Sequence, residues 1–321
     1  MSSRAETAEE QVNDGRFLAI EELRRFSRPT PWLWLAAVLN EWAIIGLTFY
    51  VCNRWPRWWV WVPAVFVIGT RQHALGIMAH EGTHYNVART KFWNDLLANL
   101  LSAYALWYPV EGYRTNHLLH HRVLDTPEDP ERASVDLYPQ DWTFPLRRRH
   151  FFSLLLRDVV GVYQVQTLKL AKYIWVIPGG ALRHALRVAL FHTVAITVAA
   201  LTGYIWTYLL LWIVPLFTIA LLCFRLRTAA EHSGLRRPEK RYAREAVDTI
   251  ATTRTTIGCP IMRFILAPYH MSFHLEHHLY PSVPVFRLRK LHEHLMKNPD
   301  YAYRARVTKS YRGLIFNELT Y

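Results

Sequence analysis

Hydrophobic positions in this chain are gathered into long runs. Pro31 to Cys52 is almost wholly apolar, as are Trp58 to Met78 and Val188 to Phe224, while Arg, Lys and Glu crowd the intervals between them. A helix needs about 20 apolar residues to cross a hydrocarbon core about 30 Å thick, so the first two runs suit one crossing each. The third is too long for one, and Gly203 and Tyr204 divide it. The pattern predicts four spans in two hairpins, at about 31–51, 57–78, 187–202 and 205–224. Buried helices of a soluble core are the alternative. Against it, Trp32, Trp34, Trp55, Trp58, Trp59, Trp61, Trp206 and Trp212 lie in or at the edges of the runs, as interfacial aromatic belts would.

The expected fold is an all-α integral membrane protein, four transmembrane helices with a helical cap on the cytosolic side. Residues 1–28 are polar and lack the apolar core of a secretory signal. The connector "LTGY" carries no Lys or Arg, whereas "RRRH" at 147–150, "RLR" at 225–227 and "RRPEKRYAR" at 236–244 are strongly basic. The positive-inside rule then places both termini and the large middle loop in the cytosol. Arg54 and Arg57 in the first external connector are a mild exception. Residues 1–30 read as a cytosolic N-terminal segment, 31–285 as the membrane domain with its cap, and 286–321 as a cytosolic tail. A bacterial inner membrane is the expected location, with the endoplasmic reticulum as the alternative.

Composition adds limits. The mean hydropathy of 0.00 averages over this segregation. The formal charge of +13 fits the anionic surface of a cytoplasmic leaflet, and no nucleic-acid motif accompanies it. Cys52, Cys223 and Cys259 are scattered, without the spacing of a disulfide framework.

The chemistry lies in the histidines. Of sixteen, nine fall in four places that the topology assigns to one side of the membrane: "HEGTH" at 80–84, "HLLHH" at 117–121, "AEHSG" with His232, and "HLEHH" at 274–278. Helical positions i, i+3 and i+4 share a face, so each box presents its imidazoles together. Nine imidazoles exceed one ion's needs; two metals with four or five nitrogens each is the natural division. Imidazole suits Zn, Cu, Fe and Ni alike. A structural zinc site needs four ligands, usually with Cys, and leaves most of these His unexplained. A dinuclear redox centre accounts for them. His73, His150, His184, His192, His270, His292 and His294 stand outside the boxes.

These residues resemble the membrane-bound fatty acid desaturase superfamily, over roughly residues 30–285. The order is the family's: two spans, HxxxH, HxxHH, two more spans, then HxxHH followed by Leu-Tyr-Pro. The resemblance implies a ligand set of His80, His84, His117, His120, His121, His232, His274, His277 and His278. It further implies two iron ions, O2 as co-substrate, and a lipid or other apolar chain as substrate. Removal of two neighbouring hydrogens gives an alkene, and oxygen rebound gives an alcohol. Desaturation is the expected outcome, with a hydroxylase or ketolase acting on a lipid, carotenoid or small metabolite as the alternative. In some relatives an Asn four residues before the single post-span His contacts a metal-bound water; Thr228 stands there in this chain.

"HEGTH" also matches HExxH, the signature of a zinc protease whose Glu acts as base. That reading leaves both HxxHH boxes idle. A metal transporter would hold its ligands near the bilayer midplane, and these boxes lie beyond the span ends. Ligand imidazoles usually donate their second nitrogen to a carboxylate or carbonyl, for which Glu81, Asp125, Asp129, Glu231 and Glu276 are candidates. His73, with Arg71 and Gln72, looks along the His80 face from inside the second span and is a candidate substrate or supporting group. Glu41 reads as a polar contact between helices. Residues 151–178 suggest an amphipathic surface helix. A fused cytochrome b5 module is not expected, so a separate donor, ferredoxin or cytochrome b5, would dock on the cytosolic face, steered by the basic segments at 147–150 and 236–244.

Overall fold

The structure, a computed structural model, describes residues 17–162, 175, 177, 180–235 and 248–321. After a short helix α1 (Ile20–Phe26), α2 (Pro31–Arg54) opens on Pro31; proline is pre-set for a first helical position and its missing N–H would have no partner there. Trp55 and Pro56 break the chain, and α3 (Trp58–Thr83) returns antiparallel to it. Its 26 residues span about 39 Å at 1.5 Å per residue.

The apolar stretch after the first box folds as a broken helix. α4 (Lys91–Ala98) is capped by Thr90, which accepts from the Trp93 N–H at 3.4 Å. It runs through a π-helical turn at Asn99–Ala103 and a 3-10 turn at Tyr104–Leu106, and ends where Trp107 takes a left-handed conformation with φ 68°. α5 (Val110–Val123) carries the second box. α6 (Arg148–Val159) buries Phe151, Leu154 and Asp158 on one side, as an amphipathic helix does. Most of the remainder of the expected surface helix, and the basic segment 236–244, lie outside the described residues.

α7 (Ala181–Leu201) and α8 (Ile205–His232) form the second hairpin. They are divided at Gly203 with φ 77°, a left-handed turn that glycine adopts without a Cβ clash. α8 contains a π-helical turn at Leu209–Ile213 and bends at Phe217 and Thr218. The cap is built from α9 (Pro260–Leu266), α10 (His274–Leu279), α11 (Leu288–Leu295) and α12 (Pro299–Arg304). A two-residue parallel pair, β1 (Thr255–Thr256) and β2 (Val307–Thr308), stitches it together in the register Thr255 to Val307.

α3 is the hub. α2, α8 and α5 all pack on it, and nearly all of it from Ile68 onward is buried. Among the described residues, three helices are long and apolar enough to cross a membrane: the stretch Ile20–Arg54 that contains α2, then α7 and α8. The second expected span falls on α3, which is interrupted by Arg71, Gln72 and His73 and is not among the three. Each of these polar side chains is bonded inside the protein. Arg71 pairs with Glu41 at 3.0 Å and donates to the Phe264 carbonyl at 2.8 Å. Gln72 donates to the Trp212 carbonyl at 2.7 Å, and His73 Nε2 lies 2.9 Å from that of Leu266. Glu41 is thus the polar contact between helices that its position in the first apolar run suggests. The three cysteines are free.

Candidate metal centre

The first box occupies the C-terminal end of α3, with His80 in its last turn and His84 as its cap. Gly82 between them admits α4 closely: a Cβ there would stand 2.5 Å from that of Ala98. Arg114 of α5 crosses to the same helix end. Its guanidinium donates to the carbonyls of Gly82 at 2.7 Å and Thr83 at 3.1 Å, and pairs with Asp95. A cation is favoured at the negative end of a helix, so one side chain ties the first box to the helix bearing the second.

The third box is α10, which ends where Tyr280, before Pro281, leaves helical conformation. His232 is the last residue of α8. All nine imidazoles converge. His80, His84, His117, His121 and His277 offer nitrogens within 4.8 Å of one another, and His120, His232 and His278 form a second such group. His274 joins the second through His232 and Glu231. The rings of His121 and His278 stack at 4.2 Å where the groups adjoin.

Three Nε2 to Nε2 separations, His117–His121, His232–His274 and His274–His278, are 3.0 Å. Two nitrogens about 2.1 Å from a shared ion and at right angles stand about 3 Å apart. Both ring nitrogens of His80 and of His277 are buried without a partner among the described residues. Buried polar atoms left unpaired cost about 1–3 kcal/mol each, a penalty that a bound cation removes at one nitrogen of each ring.

Electrostatics keeps most of these rings in the neutral form a metal needs. Burial, reinforced by neighbouring positive charge, takes His84 down to about 3 and holds His117, His121, His274, His277 and His278 well below the ordinary imidazole value. His120 is the opposite case. Burial opposes its protonation, but the carboxylates of Glu131 and Asp129 outweigh burial and raise it to about 9. The potential at that nitrogen favours a cation.

The outer contacts are specific. His117 Nδ1 lies 2.7 Å from Glu131, and His120 Nδ1 2.9 Å from Asp129. Asp129 also accepts the backbone N–H groups of Asp125 at 2.8 Å and Glu131 at 2.9 Å. His232 Nδ1 is 3.3 Å from the Thr252 carbonyl. Glu231 stands 3.4 Å from His274 Nδ1 and 3.5 Å from Arg227.

The other sequence candidates sit differently. Glu81 accepts the Val285 N–H at 2.9 Å, fixing the chain beyond the third box. Glu276 turns away from the imidazoles; Thr255, His292 and Tyr301 bond to it, the last at 2.6 Å. Asp125 meets Asp129 through its backbone, and Thr228 is half-buried one helical turn before His232. His73, Arg71 and Gln72 are bonded to the main chain as described. Four supporting residues escape the sequence pattern: Glu131, His292, Tyr301 and Tyr113, whose ring stacks on His117 at 4.9 Å. Glu131 carries a signal, an acid in the proline-rich loop just after the second box; the others come from distant sequence or a position without a pattern.

A family model described as "Fatty acid desaturase" matches residues 56–310. The chain is 28% identical to a dihydrorhizobitoxine desaturase of Bradyrhizobium elkanii, over 80% of this chain and 73% of that one. It is 22% identical to an sn-1 oleoyl-lipid 12-desaturase of a Picosynechococcus strain, over 86% and 80%. It is 26% identical to an sn-1 acyl-lipid omega-3 desaturase (ferredoxin) of a Nostoc strain, over 41% and 34%. The order of histidine boxes and the extent of the match agree: the chain belongs to the fatty acid desaturase family and is a membrane oxidoreductase.

Proposed function

We propose that the protein is an O2-dependent di-iron desaturase acting on a fatty-acyl or other lipid chain. The carrying observation is the two-lobed cluster of nine imidazoles, with buried nitrogens that nothing among the described residues satisfies. Iron held by His80, His84, His117, His121 and His277 on one side, and by His120, His232, His274 and His278 on the other, would supply O2 activation and hydrogen removal. The protein's own part is positional. Glu131 and Asp129 accept from Nδ1 of His117 and His120, which turns each Nε2 toward the cluster and raises its basicity. Glu231, 3.4 Å from His274 Nδ1 and itself 3.5 Å from Arg227, places negative charge beside the third of these rings.

In this reading α3, second in chain order, also crosses and completes the set of four, its polar run bonded to main-chain carbonyls, and both termini and the cap face the cytosol. Electrons arrive from a separate ferredoxin or cytochrome b5. The Nostoc relative whose name includes ferredoxin supports the former, and exposed Arg147, Arg148 and Arg149 suit an acidic donor. The likeness to the dihydrorhizobitoxine desaturase favours a second substrate reading, a molecule of that kind in place of a lipid chain. A zinc protease is disfavoured because its ion takes about three protein ligands, whereas nine imidazoles converge here.

Single replacement of His117, His120, His274 and His277 by Ala tests the centre. Each variant is expected to lose at least half of its bound iron and nearly all conversion of an acyl-lipid substrate. Iron and activity retained in most of them would overturn the assignment.

A further inference from the structure

A cleft of about 1500 Å³ lies between α2, α4 and α7, with the first turns of α8 at its foot. None of the nine cluster histidines lines it. Its walls come largely from helices apolar enough to cross a membrane, and they leave large side chains uncovered: Tyr50, Phe92, Leu100, Leu190, Val194 and Val198 are each 45% exposed or more. Trp42, stacked on Trp212 at 5.5 Å, closes the back.

The charged groups of the lining, Lys91, Asp95, Glu111 and Arg187, gather at one end with Asn99, while the uncharged polar residues Thr202, Tyr204 and Tyr208 lie toward the other. The acids there are turned inward. Asp95, with a side chain 12% exposed, is held by Arg114 from behind. Glu111 accepts from Asn99 at 3.0 Å and lies 3.7 Å from His184. The cations reach the surface: Lys91, which also pairs with Asp95, has a side chain 64% exposed, and Arg187 is exposed while donating to the Tyr104 hydroxyl. An apolar trough that ends in exposed cations is complementary to an acyl chain with a negative head. Long cationic side chains at the edge of a membrane-embedded surface reach toward such heads.

We propose that this cleft binds one anionic phospholipid, its acyl chain along Leu190, Val194 and Val198 and its phosphate at Lys91 and Arg187. The site is separate from the metal centre, and the inference goes beyond the desaturase reading without depending on it.

Native mass spectrometry of the full chain in neutral detergent tests this, with phosphatidylglycerol, phosphatidylcholine or oleate added in turn. One phosphatidylglycerol per chain is expected to persist where phosphatidylcholine is lost. Lys91→Gln combined with Arg187→Gln should cut that retention at least tenfold, and Val194→Trp, which fills the trough from an exposed position, should abolish it. Leu182→Trp, exposed on the same helix outside the cleft, should leave it unchanged and serves as the folding control. Equal retention of both phospholipids, retention by the cleft variants, or binding of oleate in place of phosphatidylglycerol would each overturn the proposal.

Discussion

The guanidinium of Arg114, on the helix that carries His117, donates at 2.7 Å to the carbonyl oxygen of Gly82, which lies between His80 and His84. Two boxes that are distant in sequence are therefore set relative to each other by one side chain, and Asp95 holds that side chain in place. Arg114→Met takes the buried guanidinium from Asp95, leaving it with Lys91 and Asn94, and strips the Thr83 carbonyl of its donor, while Gly82 keeps that of Asn94. Loss of one partner of a buried ion pair costs roughly 3–5 kcal/mol, so the unfolding temperature in detergent should fall well below wild type. Arg114→Lys, which cannot fork to both carbonyls, should recover only part of it.

The same pair sets a pH dependence. Burial pushes the Asp95 carboxyl up, but Arg114, Lys91 and Asn94 outweigh burial and hold it below the ordinary aspartate value. A group lowered in the folded state stabilises fully above its unfolded value, about 3.9, and loses that contribution as pH falls through the lowered one. Thermal unfolding followed from pH 7 to pH 3 should show a component of acid loss below about pH 4. Asp95→Asn, less stable at neutral pH, should lack that component; identical acid slopes would refute the assignment.

Glu276 makes the C-terminal residues part of the third box. Its carboxylate is fully buried and accepts from Thr255, His292 and Tyr301, so α11 and α12 brace the helix that presents His274, His277 and His278. Tyr301→Phe removes one donor and should cost about 1–2 kcal/mol with metal still bound. Glu276→Ala frees the box from all three and is expected to weaken iron binding about 10–100-fold, the range for outer-contact losses. Iron titration of the two variants separates the effects.

Asp129→Asn should act on one lobe. It weakens the acceptor that orients His120 and removes the negative charge beside it. Iron affinity is expected to fall about 10–100-fold, and the ligand-field spectrum of the cobalt-substituted protein should change. An unaltered spectrum and affinity would show that Asp129 is only a loop fastener.

Glu81→Gln discriminates between chemistries. Glutamine keeps an oxygen for the Val285 N–H, so iron content and turnover should stay within a few-fold of wild type. A general base contributes about 10²–10⁴-fold, and a loss of that size would revive the HExxH reading.

Local periodicity makes much of this architecture legible in the chain itself. The boxes declare themselves because i, i+3 and i+4 spacing is a property of a few residues, and Leu-Tyr-Pro marks the end of α10 for an equally local reason. The division of the third apolar run at Gly203 is legible because a left-handed turn selects glycine. Pairing across distance has no such local signal. Glu276 stands between ligand residues and reads as their support, yet its partners come from β1, α11 and α12. Glu81 sits inside the first box and serves Val285. The expected span at 57–78 is a long helix, but Arg71, Gln72 and His73 take it out of the set of helices apolar enough to cross by composition alone.

Those three side chains have one further property. Each reaches a main-chain oxygen, of Phe264, Trp212 and Leu266 in turn. For the hydrogen bonds alone, the identity of the receiving residue is immaterial, because every amino acid brings the same carbonyl. Apart from the Arg71–Glu41 pair, these bonds of the helix that anchors the first box leave no record in paired substitutions. Such a fastening leaves only residue 266 open to drift among apolar types, because Trp212 also stacks on Trp42 and Phe264 lies under the Arg71 guanidinium at 3.7 Å. A search for co-varying positions would overlook the contact that His73 makes.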